Sequence, residues 1–187
     1  MIKLVITDLD GTLLNEQSNI TDETIYAIAK LRDKGIMFTI ATGRAEQLIK
    51  EYLPKLKLTV PAILYNGSII LDTETDTNLF QEYLNKSTAL SIASYCEQEQ
   101  IIYLLYTKDA IYSKPNYRTK YFQDRNKALP KEEQAVFKEI TDINQITTQE
   151  HISKILLIED QQPQRQKLTD KLQAFTDINI TFSQNAF

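Results

Sequence analysis

The chain has 187 residues, 42% of them hydrophobic and 25% charged, with 21 basic against 25 acidic side chains for a net charge of −4. That is an ordinary globular balance, sufficient for one large domain or two small ones, and with no block of Lys and Arg it argues against a nucleic-acid groove or a polybasic membrane anchor. A single cysteine rules out an internal disulfide, and a single histidine rules out a multi-histidine zinc site. Cys96 reads as a small buried residue on a helix, and His151 as an exposed polar one. The N-terminus shows no signal-peptide pattern and no apolar run approaches ~18 residues, so a cytoplasmic location is expected.

In chain order, residues 2–7 form a short β-branched apolar run, as a strand buried on both faces requires. A helix is expected over 21–34: Thr21 can cap it, Asp22 and Glu23 suit its positive end, Gly35 can end it, and Ile25, Ile28 and Leu31 would pack on the sheet. Residues 36–41 read as a second strand, 45–53 as a second helix before Pro54, and 62–65 as a third strand. Strand, helix, strand, helix, strand is the order of a doubly wound parallel sheet. After Tyr65 the pattern changes: Asn66-Gly67, and then a polar turn between runs 69–71 and 79–83, suggest antiparallel hairpins.

From about residue 85 the chain reads as another α/β unit. Ser87 can cap a helix to about Gln98, 101–107 and 110–113 form a strand pair, and 117–128 is helical. Residues 154–159 form a strand, 164–175 a helix and 178–183 a final strand. The expected fold is therefore α/β, a partial Rossmann-like core over 1–84 followed by a smaller α/β domain over 85–187.

In open parallel sheets ligands bind beyond the carboxyl ends of the strands. The first strand ends there in Asp8-Leu9-Asp10-Gly11-Thr12. Carboxylates at i and i+2 of an extended chain share a side, with Leu9 turned into the core. One can act as nucleophile while the other handles the leaving group's proton. Gly11, with Thr12 after it, lets the backbone turn and present amide N–H groups to a phosphate. The second strand ends in Ala41-Thr42-Gly43-Arg44. Thr42 would stand beside Asp8 with a hydroxyl for a phosphate oxygen, and Gly43 permits close approach. Either motif alone is a frequent turn; two polar strand ends facing one crevice make a joint signal.

A leading strand followed by DLDGTLL, then a helix, a strand ending in ATGR, and YNG resembles the Cof-type branch of the haloacid dehalogenase-like superfamily, and the element order matches over the entire chain. The resemblance implies a phosphatase acting on a small phosphorylated metabolite such as a sugar phosphate. Asp8 would form an aspartyl-phosphate and ligate Mg²⁺. Asp10 would protonate the leaving alcohol, activate water and offer its main-chain carbonyl as a second Mg²⁺ ligand. Thr42 would bind the transferring phosphoryl group, and Arg44 and Asn66 would lie near the substrate entrance. Residues from about 85 onward resemble the cap that selects the leaving group, and Tyr95, Tyr103, Tyr106, Tyr112, Tyr117 and Tyr121 either line its pocket or pack its elements.

The family pattern continues with a basic residue after the cap and a strand ending in an acidic pair. Lys154 and Glu159-Asp160 are not read as these groups, because KILLIEDQQP resembles a cap strand and turn. The expectation is of a core missing its later strands, with an apolar edge and face left open to self-association, and of no turnover by this chain alone. Two further readings stay open: a phosphomutase, and a non-catalytic fragment that binds a ligand or partner.

Overall fold

The computed structural model describes residues 1–146 and 151–183, and the chain divides into two units, Met1–Glu82 with Glu132–Gln134, and Tyr83–Lys131 with Ala135–Phe187. In the first unit, β1 (Leu4–Thr7) leads through α1 (Asp22–Asp33) to β2 (Met37–Ile40), which lies parallel to β1 in the register Leu4↔Met37 to Thr7↔Ile40. The crossover helix begins where the sequence indicated. Thr21 Oγ1 accepts from Thr24 N at 3.3 Å, a cap worth about 1 kcal/mol, and Gly35 takes the left-handed φ of 69° after the last turn. Ile28 is buried and Ile25 and Leu31 are half-buried, the apolar stripe that three- and four-residue spacing puts on one face.

The segment expected as one helix over 45–53 is broken. Residues Glu46–Leu48 make a single 3₁₀ turn, and α2 (Leu53–Leu56) starts only later, with Pro54 in its first turn. Two causes are visible. Proline is tolerated only where no N–H is needed, so it opens a helix instead of continuing one. The Leu48 carbonyl, which a continuous helix would use, accepts from Arg44 Nη1 at 3.3 Å. Strand β3 (Ala62–Leu64) joins the parallel set through one bridge, Ala41↔Ile63, and then pairs antiparallel with β4 (Ile69–Asp72), which pairs antiparallel with β5 (Thr77–Gln81). The turn between β3 and β4 runs through three successive residues with positive φ, Tyr65, Asn66 and Gly67.

Strand β1 is not buried on both faces, and it leaves open the apolar edge and face that the sequence led us to expect. It pairs with β2 alone among the described residues, and Ile2, Leu4, Ile6 and Met37 are 67%, 40%, 47% and 43% exposed. Val5 and Thr7 are half-buried, whereas the alternate apolar positions Leu4 and Ile6 are open, so the run that reads as doubly buried is partly buried on one side only.

The second unit is built on a four-stranded sheet. In chain order its elements are α3 (Lys86–Gln98), β6 (Ile102–Thr107), β7 (Ile111–Ser113), α4 (Tyr117–Lys127), β8 (Phe137–Glu139), β9 (Ile152–Ile158) and α5 (Gln162–Leu172), with strand order β8-β7-β6-β9. β6 runs antiparallel to β7 and β9, and β7 parallel to β8. Ala89, Ile92, Ala93 and Cys96 of α3 and Leu168 and Leu172 of α5 pack on Tyr103, Leu105 and Ile152 of the sheet. The cap of α3 is Asn85, not Ser87: Asn85 Oδ1 accepts from Ser87 N at 2.9 Å. The final strand expected over 178–183 is absent. Ile178 and Ile180 pack on the core cluster at alternate positions, but among the described residues they join no ladder. Gln184 to Phe187 lie outside the described residues. His151 is exposed and stacks on Tyr83 with ring centroids 4.7 Å apart. Among the described residues no helix is long and apolar enough to cross a membrane.

Candidate active site

The chain leaves β1 at Thr7 and coils at once into a turn over Leu9–Leu13, closed by Leu14 N donating to Leu9 O at 2.9 Å. Leu9 is fully buried, an anchor worth about 1.5–3 kcal/mol that fixes where the flanking aspartates emerge. Asp8 keeps extended backbone angles and acts as the turn's cap, its Oδ1 accepting from Leu9 N at 2.7 Å. Its side chain is exposed, and among the described residues Oδ2 takes no hydrogen bond. Gly11 supplies the left-handed φ of 72° at which the chain reverses, and Thr12 is exposed in the same turn. The sharp turn expected of Asp-Gly is therefore present, although Asp8 and Asp10 sit on a coil and not on one extended strand.

Asp10 does not stand open beside Asp8. Both of its oxygens are gripped by Arg44: Nη2 donates to Oδ1 at 2.7 Å and Nε donates to Oδ2 at 2.8 Å. Arg44 also donates from Nη1 to Tyr52 Oη at 3.0 Å, with Glu51 Oε1 3.9 Å away. Burial works against the Arg44 cation, but the hydrogen bonds and charge of Asp10 and the Tyr52 oxygen outweigh it and hold the guanidinium above its ordinary range. Arg44 was expected at a substrate entrance. The structure instead spends its planar fork on a carboxylate, the geometry for which arginine is suited.

Thr42 follows β2, its N–H donating to Ile63 O at 2.9 Å. The register places Ile40 opposite Thr7, so one step further Ala41, not Thr42, lies opposite Asp8. Thr42 is buried, and its Oγ1 accepts from Arg44 N at 3.2 Å, shaping the turn that aims Arg44. Asn66 closes the same corner: its N–H donates to Thr42 O at 3.1 Å, and Tyr65 N donates to Arg44 O at 3.1 Å. A Cβ at Gly43 would lie 2.5 Å from Asn66 Oδ1. The glycine expected to admit a phosphate admits the Asn66 side chain.

For a divalent cation, the Asp8 carboxylate and the Asp10 main-chain carbonyl are hard oxygen donors that fit Mg²⁺, which commonly takes one or two carboxylates and keeps water on its other positions. Among the described residues no group of three or more His, Cys, Asp and Glu side chains is placed to hold a metal. Sequence reasoning missed Tyr52 and Ser18, whose carbonyl accepts from Tyr52 Oη at 3.2 Å. No local signal marks either one, because Ser18 and Tyr52 meet across 34 positions of the chain.

An α/β unit with two aspartates in the turn after its first strand, and a Thr-Gly-Arg turn after the neighbouring parallel strand, has the form of a phosphoryl-transfer site. The chain belongs to the haloacid dehalogenase-like hydrolase family, whose model matches residues 5–187. It is 28% identical over 166 residues to the pyridoxal phosphate phosphatase YbhA of Escherichia coli, covering 88% of this chain and 61% of that protein. It is 37% identical over 112 residues to the 5-amino-6-(5-phospho-D-ribitylamino)uracil phosphatase YwtE of Bacillus subtilis, covering 60% of this chain and 38% of that protein. The chain thus spans about three fifths or less of these relatives' length. Among solved structures, a haloacid dehalogenase-like hydrolase from Bacteroides thetaiotaomicron superposes with a TM-score of 0.80 at 21% identity, over 98% of this chain and 68% of that one. The sugar phosphatase BT4131 of subclass IIB superposes with a TM-score of 0.73 at 20% identity, over 91% and 64% of the two chains.

Proposed function

We propose that the full-length protein is a cytoplasmic, Mg²⁺-dependent phosphatase for a small phosphomonoester such as a sugar phosphate, with Asp8 as nucleophile and the second unit acting as its substrate-selecting cap. The carrying observation is the division of labour between two aspartates one residue apart: Asp8 exposed, with one oxygen uncommitted, and Asp10 held by a cation. The attack of Asp8 Oδ2 on phosphorus forms the aspartyl-phosphate as the ester P–O bond breaks, and the leaving oxygen takes a proton from Asp10. Water then gives a proton to Asp10 and attacks phosphorus, releasing inorganic phosphate and restoring the Asp8 carboxylate. Asp8 and the Asp10 carbonyl would hold Mg²⁺, whose charge offsets that of the phosphoryl oxygens. Relatives named for pyridoxal phosphate and for a phosphoribitylamino-uracil act on small phosphomonoesters, which supports the substrate class.

Residues 1–187 by themselves should turn over at background. Among the described residues the Asp8 carboxylate and the Asp10 carbonyl are the oxygens that would hold Mg²⁺, and the Arg44 cation is spent on Asp10. Loss of one oriented donor at a transition state typically costs ~10²–10³ in rate. The test of the function is phosphomonoester hydrolysis by the full-length protein with Mg²⁺ and with chelator, for the parent and Asp8→Asn. Turnover only with the metal, abolished in Asp8→Asn, is expected. Activity persisting in the variant would move the nucleophile elsewhere.

A further inference from the structure

We infer that Tyr52 is a positioning residue of this site: anchored on the Ser18 carbonyl, its hydroxyl fixes the guanidinium of Arg44, and Arg44 in turn holds the Asp10 carboxylate in a single orientation. The inference rests on the reading of Asp10 as the proton-transfer group. A two-pronged grip on a carboxylate fixes Arg44 relative to Asp10 but leaves the pair free to swing together. A second attachment, on another edge of the guanidinium, removes that freedom. Nη1 provides it by donating to Tyr52 Oη at 3.0 Å and to Leu48 O at 3.3 Å. Each Asp10 oxygen keeps a further lone pair for a substrate or water proton, so the grip orients the group without consuming it.

Tyr52 is built for this task. It is 2% exposed and has only two side-chain torsions to immobilise. Its hydroxyl has one proton, which goes to Ser18 O at 3.2 Å, leaving the oxygen's lone pairs for Arg44. The order of donors is thereby set from Arg44 through Tyr52 to Ser18. Burial raises the phenol's pKa, and with the charge and hydrogen bonding of Glu51 it outweighs the Arg44 cation that lowers it. Glu51, the residue before Tyr52, also faces Arg44, with Oε1 3.9 Å from Nη1, and its carboxylate bears on the Tyr52 hydroxyl as well.

The far anchor is equally fixed. Ser18 has a left-handed φ of 56°, and its turn is locked by Asn15 Oδ1, which accepts from Gln17 N at 3.0 Å and Asn19 N at 2.9 Å. The chain that carries Asp10 is therefore tied at both ends to one tyrosine, directly after the motif through Ser18 and through Arg44 at the carboxylate itself.

The test is the Arg44 Nε–H signal of the ¹⁵N-labelled 187-residue chain, identified by its loss in Arg44→Lys. In the parent its exchange with water should be slow. In Tyr52→Phe it should quicken about 5-fold or more, as loss of one hydrogen bond allows, while backbone amide exchange across β1 and β2 stays unchanged. If Tyr52→Phe does not fold, Asn15→Ala decides: by loosening the Ser18 turn it should quicken Nε–H exchange in the same direction. Parent exchange at the rate of a free arginine, or no change in whichever variant folds, overturns the inference. In the full-length protein Tyr52→Phe should lower kcat on an alkyl phosphate, whose leaving group needs a proton, more than on an aryl phosphate, with KM unchanged. Equal loss on both reduces Tyr52 to a structural tie. No turnover by the full-length parent contradicts the phosphatase reading, and Nε–H exchange still decides the tie itself.

Discussion

Gly43 and Asn66 show how tightly single residues define the corner behind the site. An added methyl at Gly43 would meet Asn66 Oδ1 at 2.5 Å, so Gly43→Ala should displace Asn66 at a cost of about 1–3 kcal/mol. Asn66→Ala should restore most of that stability to the double variant, because the two changes share one clash. Simple addition of the two losses in urea denaturation would show that the contact does not set the cost. At this scale the motifs were legible and their contacts were not. DLDGT and ATGR announce carboxylates and a phosphate-type turn because short-range backbone chemistry dictates them. The partnership of Asp10 with Arg44, the burial of Thr42 and the fit of Asn66 over Gly43 depend on how β2 and β3 lie together, which local patterning does not encode.

The elements of the second unit follow rules that their residues state plainly. Asn85→Ala should cost about 1 kcal/mol by removing the bond to Ser87 N, and Ser87→Ala should cost less; the reverse ranking would restore Ser87 as the cap. Cys96 is fully buried on α3, and burial, with a smaller push from Glu97, drives its thiol up to about 12. Its alkylation should therefore wait on opening of the unit and accelerate with denaturant; rapid reaction in native buffer would contradict the packing of α3. On the same helix, Glu97 accepts from Tyr103 Oη at 2.7 Å and pairs with Lys114 at 2.9 Å. Burial opposes its ionisation, but these two partners outweigh burial and hold its carboxyl below the ordinary range. A depressed folded value means that its stabilisation is complete above the ordinary glutamate pKa of about 4.3 and is lost as pH falls through the folded value. Glu97→Gln should flatten the acid side of the stability profile, and an unchanged acid slope would remove Glu97 from it. Elements such as α1, β6 and α4 were readable to within a residue or two. Elements decided by tertiary partners were not: 45–53 breaks because Arg44 and Pro54 compete with helical bonding, Phe137–Glu139 becomes β8 only because β7 lies beside it, and 178–183 alternates in burial yet joins no ladder.

For the molecule as a whole, Ile2, Leu4, Ile6 and Met37 form an open apolar face on β1 and β2. Such surface is costly in water and a ready contact for a second chain. The 187-residue chain should therefore associate with rising concentration in sedimentation velocity, and Leu4→Lys with Ile6→Lys should keep it monomeric. A parent that stays monomeric throughout would show that the face is tolerated as it is. This same strand delivers Asp8 to the site, so the apolar face and the chemistry are set by one element. Asp8 is the residue proposed to carry the phosphoryl group, and the most direct measurement is to quench the full-length protein during turnover, reduce it with borohydride and map the modified residue by mass spectrometry. An acyl phosphate at Asp8 should be converted to homoserine at that position and nowhere else. Turnover with no modification at Asp8, or with the label on another residue, would contradict it.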